Sequence, residues 1–507
     1  MDVQLLSGCD MFDVIQYNEL YVSREYEKCK KIVKEALTRK DYEKGLAAIA
    51  VCSELLYLWN QNFTDTFLEQ AVLEIAEKTL SPEVKRFKGC GAGPVVFYDN
   101  FGLDTRGLAL IYIKALGVSG KRIVYITTKQ AKGKQPEIDK VISAYKNIEK
   151  KYFVEKNYLT KLCELQSLVL KYEPSKIFWY TTPDDSTGIA LSHQLMGKTT
   201  RYQINLTDHA FWLGSNAFDF YIEFRDYGAF ISSQFRGIPQ SKIIKLPYYP
   251  IINKDIEFQG FPFEPQGRKI LFSGGSLYKT IDEKKTYYSI VDAILKFNPD
   301  VVFLYAGFGG KKYLEELESN NPRRVFHINE RKDLFQLMQH ITLYLNTYPM
   351  IGGLMTQYAA IAGKIPLTLK HNQDASGILI EQKLREIEYD SVDELIQDTN
   401  KLLKDDAYLR EREMLLEGSV ISGDVFNAQV SNIIQSNRTC FDVYNEAVDV
   451  ADFLHGYRYR FNRQDFENAI ANKKNLSLVF EYFGYYIRKV VMKTMRRLNV
   501  IGGGGMK

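Results

Sequence analysis

The stretch Tyr344–Pro366, with the sequence YLNTYPMIGGLMTQYAAIAGKIP, decides how this chain folds. A short apolar strand pattern ends at Asn346, an irregular loop with Gly352 and Gly353 follows, and a helical pattern of small residues starts at once. This order places backbone N–H groups and a helix N-terminus at the carboxyl end of a strand, where a diphosphate binds favourably. A glycine has no Cβ, so an anion can approach the backbone closely. The alternative is an ordinary tight strand-to-helix turn.

A second stretch upstream repeats the order of a strand followed by a glycine loop. It reads ILFSGGSLYKT at Ile270–Thr280, and its loop contains Gly274, Gly275 and Ser276. Lys279 follows in the same loop and can supply the positive point charge that a phosphate attracts. The alternative role of Lys279 is that of an ordinary solvated lysine.

Composition indicates a globular enzyme and excludes several other classes. The chain has 507 residues, 45% of them apolar and 25% charged, and a net charge of +4. This near balance predicts no nucleic-acid partner. The six cysteines form no CxxC pair and no metal-ligand spacing, so we expect reduced thiols in a cytoplasmic protein. No signal-peptide pattern and no apolar run of about 18 residues is present, so no membrane span is predicted.

Hydrophobic periodicity divides the chain into four stretches. Apolar residues at helical spacing predict helices at Tyr26–Ala36, Tyr42–Trp59 and Phe67–Thr79. Strands then alternate with helices from Val95 and again from Ile270, which predicts two parallel α/β sheets. The predicted domains are 1–88 (α-helical), 89–250 (Rossmann-like, acceptor side), 267–415 (Rossmann-like, nucleotide-sugar-binding) and 416–507 (C-terminal helices with a basic amphipathic tail).

The predicted strands support this division. In the first sheet they are Val95–Asp99, Ile123–Thr127, Ile177–Pro183, Tyr202–Leu206 and Asp219–Phe224. In the second sheet they are Ile270–Gly274, Val301–Gly307, Val325–Asn329, Leu343–Thr347 and Pro366–Lys370. The fold class is therefore α/β, and two Rossmann-like domains facing a cleft, with the diphosphate site in the C-terminal one, form the GT-B arrangement of glycosyltransferases.

Five segments in one order carry a more specific resemblance. They are WLGSNAFDFYIEFRD (Trp212–Asp226), KIIKLPYYP (Lys242–Pro250), SLYKT (Ser276–Thr280), the stretch from Asn346 to Pro366, and DASGILIEQKL (Asp374–Leu384). The segments resemble the catalytic region of the O-GlcNAc transferase family and of the related bacterial adhesin glycosyltransferases. The resemblance covers less than half of the chain. No tetratricopeptide array accompanies it, so the resemblance alone does not imply that this chain glycosylates protein hydroxyl groups.

The resemblance implies a donor site, with two departures. Where the family has a His-Thr-Thr run, this chain has Gly353-Leu354-Met355, so a diphosphate would rely on backbone N–H groups, Thr356 and Lys279. Where the family has an acid for the ribose, this chain offers Gln357 or Tyr358, which leaves the nucleotide open with a UDP-sugar expected. The predicted donor-binding residues are Gly274, Gly275, Ser276, Asn329, Arg331, Gly352, Gly353, Leu354, Met355, Thr356, Gln357 and Asp374.

The expected chemistry is glycosyl transfer without a metal. The nucleoside diphosphate gains negative charge as the sugar–phosphate bond breaks. No DxD motif is flanked by strand patterns, and the nearest pair of acids is Asp184-Asp185. Lys279 and a helix dipole can stabilise the leaving group instead. We therefore expect Lys279 to be catalytic and no cofactor besides the nucleotide-sugar co-substrate.

His209 and Asp208 are the other candidate catalytic residues. They follow the strand Tyr202–Leu206, so His209 could act as a base toward the acceptor or hold the donor. Asp208 could fix the tautomer of His209 or act as the base itself. The alternative is a structural histidine at a strand end. In the loop Asn100–Gly107, we expect Asp104 or Thr105 to cap the following helix.

The C-terminal stretch Leu478–Leu498 predicts a basic amphipathic helix. Five cations between Arg488 and Arg497 alternate with aromatic and aliphatic residues, which suits an anionic membrane surface. The alternative is a helix that packs back on the fold.

These patterns together predict a hexosyltransferase-type glycosyltransferase. We expect it to move a sugar from a nucleotide-diphosphate donor to a saccharide or lipid-linked glycan, as in surface polysaccharide or glycoconjugate synthesis. A protein acceptor is the first alternative. A non-catalytic GT-B partner subunit of a glycosyltransferase complex is the second, and an epimerase or phosphorylase on the same fold is the third. The resemblance implies inversion at the anomeric carbon.

Overall fold

The computed structural model describes residues 11–89, 91–105, 107–154, 156–370, 377–380, 387–444 and 450–497. The chain forms two compact units. The first unit comprises Met1–Ile222, Ile231–Ile243 and Phe461–Lys507, and the second comprises Glu223–Phe230 and Ile244–Arg460. The first unit thus includes the N-terminal helices, most of the first sheet and the end of the tail. The finer division into four domains stays a prediction.

Two parallel sheets form the centres of the fold, and their strands are as follows. The first sheet has β1 (Val95–Asp99), β2 (Ile123–Thr128), β3 (Ile148–Phe153), β4 (Lys176–Tyr180), β5 (Thr200–Ile204), β6 (Phe220–Glu223) and β7 (Ile243–Lys245). The second sheet has β8 (Lys269–Gly274), β9 (Val301–Ala306), β10 (Val325–Ile328), β11 (Leu343–Leu345), β12 (Pro366–Leu369) and β13 (Glu388–Tyr389).

Both sheets have the strand order of a dinucleotide-binding fold. The first is ordered β3-β2-β1-β4-β5-β6-β7 and the second β10-β9-β8-β11-β12-β13. The direction of strand order reverses between β1 and β4 in the first sheet, and between β8 and β11 in the second. Ligands of such sheets bind outside the carboxyl ends of the strands at these switch points. The loops after β8 and β11 are the two glycine loops singled out in the sequence.

Helices cover the sheets in the order that the alternating pattern predicts. They are α1 (Met11–Thr38), α2 (Tyr42–Trp59), α3 (Thr66–Lys78), α4 (Pro82–Arg86), α5 (Ala109–Val118), α6 (Pro136–Ala144), α7 (Tyr158–Tyr172), α8 (Ser186–Gln194), α9 (Asp226–Gln234), α10 (Thr286–Phe297), α11 (Lys312–Asn320), α12 (Leu334–Gln339), α13 (Gly353–Ile361), α14 (Val392–Lys404), α15 (Asp406–Met414), α16 (Gly423–Ser436), α17 (Ala451–Tyr457), α18 (Arg463–Ile470) and α19 (Phe483–Arg497).

Local signals explain where predictions of these elements succeed. The predicted bounds of α2 are confirmed, because the side chain of Asp41 caps the start by accepting from Lys44 N and the left-handed Asn60 ends the helix. The bounds of β1 are also confirmed, since all of its residues are buried and those before Asp99 form one apolar run.

Elements without a clean apolar pattern were missed. The sequence of β3 is IEKKYF and most of its side chains are half-buried, because it is an edge strand of the first sheet. Helix α8 begins at Ser186, directly after the acid pair Asp184-Asp185, because Asp185 caps it by accepting from Gly188 N. Asp104 does not cap α5 as expected. Its carboxylate accepts from Glu137 N and Ile138 N and so caps α6, a contact that local sequence cannot reveal.

The tail of the chain packs against the first helix. The hydroxyl groups of Tyr485 and Tyr21 are 3.0 Å apart, and that of Tyr482 lies 3.2 Å from Cys29 Sγ. The opposite side of this segment is apolar and exposed, with Phe480 88% and Val490 65% exposed. None of the helices in the described part of the chain combines the length and apolar composition needed to cross a bilayer.

Candidate functional site

The two glycine loops of the second unit meet at its switch point. A Cβ placed on Gly352 would lie 3.6 Å from Gly274 O, so the loops after β8 and β11 are neighbours. Lys279 Nζ donates to Ile351 O at 3.4 Å, and Met350 N donates to Lys279 O at 3.3 Å. Hydrogen bonds in both directions therefore hold Lys279 beside the start of α13, as the diphosphate hypothesis requires.

The backbone of the first loop lies very close to the backbone of the loop after β9. Gly275 has φ +140° and donates its N–H to Ala306 O at 2.9 Å. A Cβ on Gly307 would lie 1.8 Å from Gly275 O, so only glycine fits there. Ser276 is half-buried and precedes the 3₁₀ turn Leu277–Thr280 that carries Lys279. The loop after β9 thus supports the loop that carries the lysine.

The side chain of Asn346 fixes the second loop. Its Oδ1 accepts from Gly352 N at 2.9 Å and from Thr347 N at 3.1 Å, and its Nδ2 donates to Thr356 Oγ1 at 2.7 Å. Thr356 Oγ1 in turn donates to Gly352 O at 3.1 Å and is buried. Thr356 therefore maintains the loop, and its predicted contact with a phosphate stays a prediction.

The N-terminus of α13 presents backbone donors. Gly352 is its N-cap, and among the described residues no side chain caps this helix. The first-turn N–H groups of Gly353, Leu354 and Met355 have no partner within an ideal helix, and the helix dipole adds positive potential there. Leu354 is 38% exposed, so solvent reaches this turn. The arrangement suits an anion bound through backbone N–H groups.

Gln357 and Gly353 contact a residue that sequence reasoning missed. Gln357 Nε2 donates to Tyr248 O at 2.8 Å, and Gln357 is buried. A Cβ on Gly353 would lie 2.6 Å from Tyr248 Oη, so the tyrosine packs directly on the start of α13. Tyr248 lies within KIIKLPYYP, and that segment was the available signal. Whether Gln357 contacts a ribose stays a prediction.

The remaining predicted donor residues have different surroundings. Arg331 donates to both carboxylate oxygens of Asp333 and to Gly260 O at 2.6 Å. Burial raises the pKa of Asp333, but the bonds from Arg331 outweigh it and bring that pKa below its usual value. Asn329 is exposed just after β10. Asp374 lies outside the described residues.

His209 and Asp208 lie together in the first unit. His209 Nδ1 is 3.2 Å from Asp208 Oδ1, and the Asp208 side chain is fully buried while that of His209 is 23% exposed. Side chains from outside this loop form hydrogen bonds with its backbone. Asn60, the C-cap of α2, donates to His209 O at 2.9 Å and accepts from Phe211 N at 3.0 Å, and Arg236 donates to Asp208 O at 2.9 Å. A buried carboxylate beside an accessible imidazole suits a general base.

Two acids at the switch point of the first sheet already have partners within the protein. Lys161 Nζ donates to Asp185 Oδ1 at 2.9 Å, Tyr98 Oη donates to Asp185 Oδ2 at 2.8 Å, and Lys474 Nζ donates to Asp184 Oδ2 at 3.2 Å. Asp184 and Asp185 are therefore paired with lysines. Within the described part of the chain, no group of three or more His, Cys, Asp and Glu side chains is arranged to hold a metal ion.

Comparison with known proteins places this geometry in a fold class. No protein-family model matches the sequence, and no curated protein matches it. A mutant of the O-GlcNAc transferase of Thermobaculum terrenum is similar in structure, with a TM-score of 0.50 and 14% identity over 88% of this chain and 85% of that chain. A glycosyltransferase from Rickettsia africae has a TM-score of 0.49 and 10% identity over 68% of this chain and 99% of that chain.

A third similar structure is the lipopolysaccharide outer core galactosyltransferase WaaB, with a TM-score of 0.47 and 13% identity over 68% of this chain and 99% of that chain. The fold is GT-B, with two Rossmann-like α/β domains and additional N-terminal helices. The predicted GT-B fold and the resemblance to O-GlcNAc transferase are confirmed at the level of the fold.

A buried acid holds the far end of the loop that carries His209. Glu69 on α3 accepts from Gly214 N at 2.7 Å and from Ser215 N at 3.0 Å. Burial raises the pKa of Glu69 from 4.5 to about 7, although the two backbone bonds act in the opposite direction. The folded state therefore takes up a proton that the unfolded state has released, and stability falls as the pH rises from 4.5 to about 7.

We predict that Glu69→Gln removes this pH dependence. Glutamine keeps an oxygen for both N–H groups but carries no charge, so the variant should gain stability over the wild type between pH 5 and pH 8, by at most ~3 kcal/mol. Thermal unfolding at the two pH values measures the difference. Glu74→Gln, at an exposed position of α3, is the matched control. An identical pH response of Glu69→Gln and wild type would contradict the prediction.

Proposed function

We propose that this chain is a glycosyltransferase that moves a sugar from a nucleoside-diphosphate donor to an acceptor hydroxyl. The observation that carries the proposal is the switch point of the second sheet. There none of the described side chains caps the start of α13, and Lys279 lies beside it with its Nζ 3.4 Å from Ile351 O. Backbone donors, a helix dipole and a lysine together favour a diphosphate.

The same groups supply the chemistry of the proposed reaction. As the bond between the sugar and the diphosphate breaks, negative charge grows on the leaving oxygen. A preorganised ammonium and first-turn N–H groups stabilise that charge without a metal ion. Metal independence is supported by Asp184 and Asp185, whose carboxylates are already paired with Lys474 and Lys161. UDP is the nucleotide that we propose, because two of the segments that resemble the O-GlcNAc transferase family, Ser276–Thr280 and Asn346–Pro366, form this site.

The acceptor side of the proposal rests on His209. Its imidazole would take the proton of the acceptor hydroxyl, and Asp208 would orient the ring and stabilise the imidazolium. Attack from the opposite side of the donor sugar would invert the anomeric carbon. We propose a saccharide or lipid-linked glycan as acceptor. An acceptor hydroxyl on a protein is the alternative that an acceptor screen would distinguish.

We predict that Lys279→Met lowers turnover by about 10²-fold or more, because the charge at the leaving group is lost. Release of UDP from UDP-GlcNAc, UDP-glucose and UDP-galactose measures the turnover. Lys404→Met is the matched control, since Lys404 is exposed and lies away from the site. The residue before it, Leu403, accepts from Lys269 at the amino end of β8, whereas the site lies at the carboxyl end of that strand.

Two results would contradict this assignment. Equal turnover of Lys279→Met and wild type would remove Lys279 from the reaction. A wild type that binds UDP but turns over none of the sugars, with or without glycan acceptors, would favour the non-catalytic partner subunit instead.

We further propose that the protein is cytoplasmic and contacts an anionic membrane surface through Leu478–Leu498. The exposed apolar side, with Phe480 and Val490, supports this contact. The cations contribute less than the sequence suggests. Arg488 is paired with Glu467, and Lys489 Nζ donates to Ala471 O at 2.8 Å. Apolar insertion, which salt does not screen, is therefore expected to dominate.

We predict that the double variant Phe480→Ser and Val490→Ser no longer floats with anionic vesicles, because the residues that insert are lost. Flotation is measured at about 0.1 M and about 1 M salt, where the Debye length falls from about 10 to about 3 Å. Met414→Ser is the control, since Met414 is 72% exposed on another helix. A full-length protein that never floats would make this helix a packing element only.

A further inference from the structure

A polar cavity lies in the first unit, at the switch point of its sheet. Asn100 follows β1, and Asp184 and Asp185 follow β4, the two strands between which the strand order reverses. The cavity has a volume of about 130 Å³, and a smaller one of about 30 Å³ shares Tyr158, Asp184 and Lys474 with it. Ligands of open α/β sheets bind at such switch points, and a polar space of this size has room for several water molecules or a small ligand.

The lysines and aspartates that line these cavities are paired with each other. Lys161 Nζ donates to Asp185 Oδ1 at 2.9 Å, and Lys474 Nζ donates to Asp184 Oδ2 at 3.2 Å. Thr182 Oγ1 also donates to Asp184 Oδ1 at 2.7 Å. Burial raises the pKa of Asp184, but the charge of Lys474 and the bond from Thr182 outweigh it and bring that pKa below its usual value. Asp184 is therefore ionised at neutral pH and balances the charge of Lys474.

Glu54 on α2 is an acid of the larger cavity without such a partner. Its side chain is half-buried and lines the cavity, and no side chain in the described part of the chain forms a hydrogen bond or an ion pair with its carboxylate. Burial raises the pKa of Glu54 from 4.5 to about 7. The charges of Asp184 and Asp465 act in the same direction, while that of Lys474 opposes them. A positive charge brought into the cavity would therefore stabilise the ionised form of Glu54.

The charges of the cavity distinguish between classes of ligand. An anion would be repelled by ionised Glu54, and a divalent metal ion prefers a shell of several oxygen ligands to a site that also contains the ammonium group of Lys474. A neutral hydroxyl group would leave the charge of Glu54 uncompensated. A primary ammonium group brings one positive charge and three N–H donors, enough for Glu54 and for the side-chain oxygen of Asn472, which lines the same cavity.

We propose that the cavity at the switch point of the first sheet binds a small molecule with a primary ammonium group, and that this group pairs with Glu54. The ligand is a short amine or the amino end of a longer molecule, since the space is small. All residues of this site belong to the first unit, whereas the candidate diphosphate site belongs to the second. The inference goes beyond the proposed function and does not depend on it.

Calorimetric titration of ethanolamine and of ethylene glycol into the full-length protein tests the proposal. The two compounds are alike in size and differ in one group, an ammonium in the first and a hydroxyl in the second. Ethanolamine should bind with a dissociation constant of about 1 mM or below, which is within the limit for so small a ligand, and ethylene glycol much more weakly.

The pH dependence of this binding has a defined sign. Affinity for ethanolamine should rise by up to about 100-fold from about pH 5 to about pH 8, because only ionised Glu54 attracts the ammonium group. The amine itself stays protonated over this range. Glu54→Gln should weaken binding by about 10-fold or more at the higher pH and remove the pH dependence. Glu74→Gln, which changes an exposed acid of α3, is the matched control.

Three results would overturn the proposal. The first is a wild type that does not bind ethanolamine at about 10 mM, and the second is equal affinity for ethanolamine and ethylene glycol. The third is equal affinity of wild type and Glu54→Gln for ethanolamine. The comparison of the two compounds and of the pH values needs the wild type alone, so it tests the proposal even if the glutamine variant does not fold.

Discussion

The side chain of Asn346 is the contact on which the candidate site depends. It accepts from Thr347 N and Gly352 N and donates to Thr356 Oγ1, so it fixes the path of the loop into α13. Gly352 N is therefore already bonded to Asn346. The N–H groups that follow it, from Gly353 onward, are the first-turn donors of α13. A buried amide therefore fixes the irregular loop that leads into the candidate anion site. Lys279 then adds a charge beside that site through its own bonds to the same loop.

The two sheets share one strand order, but their switch points differ in chemistry. At the switch point of the first sheet, Asp184 and Asp185 form ion pairs with Lys474 and Lys161, so both acids belong to an internal network of charges. At the switch point of the second sheet no described side chain caps α13, so its first-turn N–H groups remain candidate donors to an anion. The candidate catalytic residue of the first unit, His209, lies in the loop after β5, and Asn60 of the N-terminal helices donates to its backbone carbonyl group. The helical extension thus supports a candidate catalytic loop as well as the fold.

Local patterns predicted the fold and the elements around the candidate site better than the contacts there. Buried strands such as β1 and a capped helix such as α2 are encoded within a few neighbouring residues, and both were predicted with their bounds. The edge strand β3 was missed, since its charged residues interrupt the apolar pattern that marks the other strands. The bonds of Gln357 to Tyr248 and of Asn60 to His209 join residues far apart in the sequence, which no local pattern can show.

The central claim is that the second unit binds a nucleoside diphosphate through the start of α13 and Lys279. Thermal unfolding in the presence of UDP, GDP, CDP and ADP, each compared with its nucleoside, tests this claim most directly. A diphosphate present at about 100 times its dissociation constant should add about 2.7 kcal/mol to the free energy of unfolding. The account predicts this stabilisation for UDP and a much smaller effect for uridine. Equal unfolding temperatures with and without every diphosphate at millimolar concentration would contradict it.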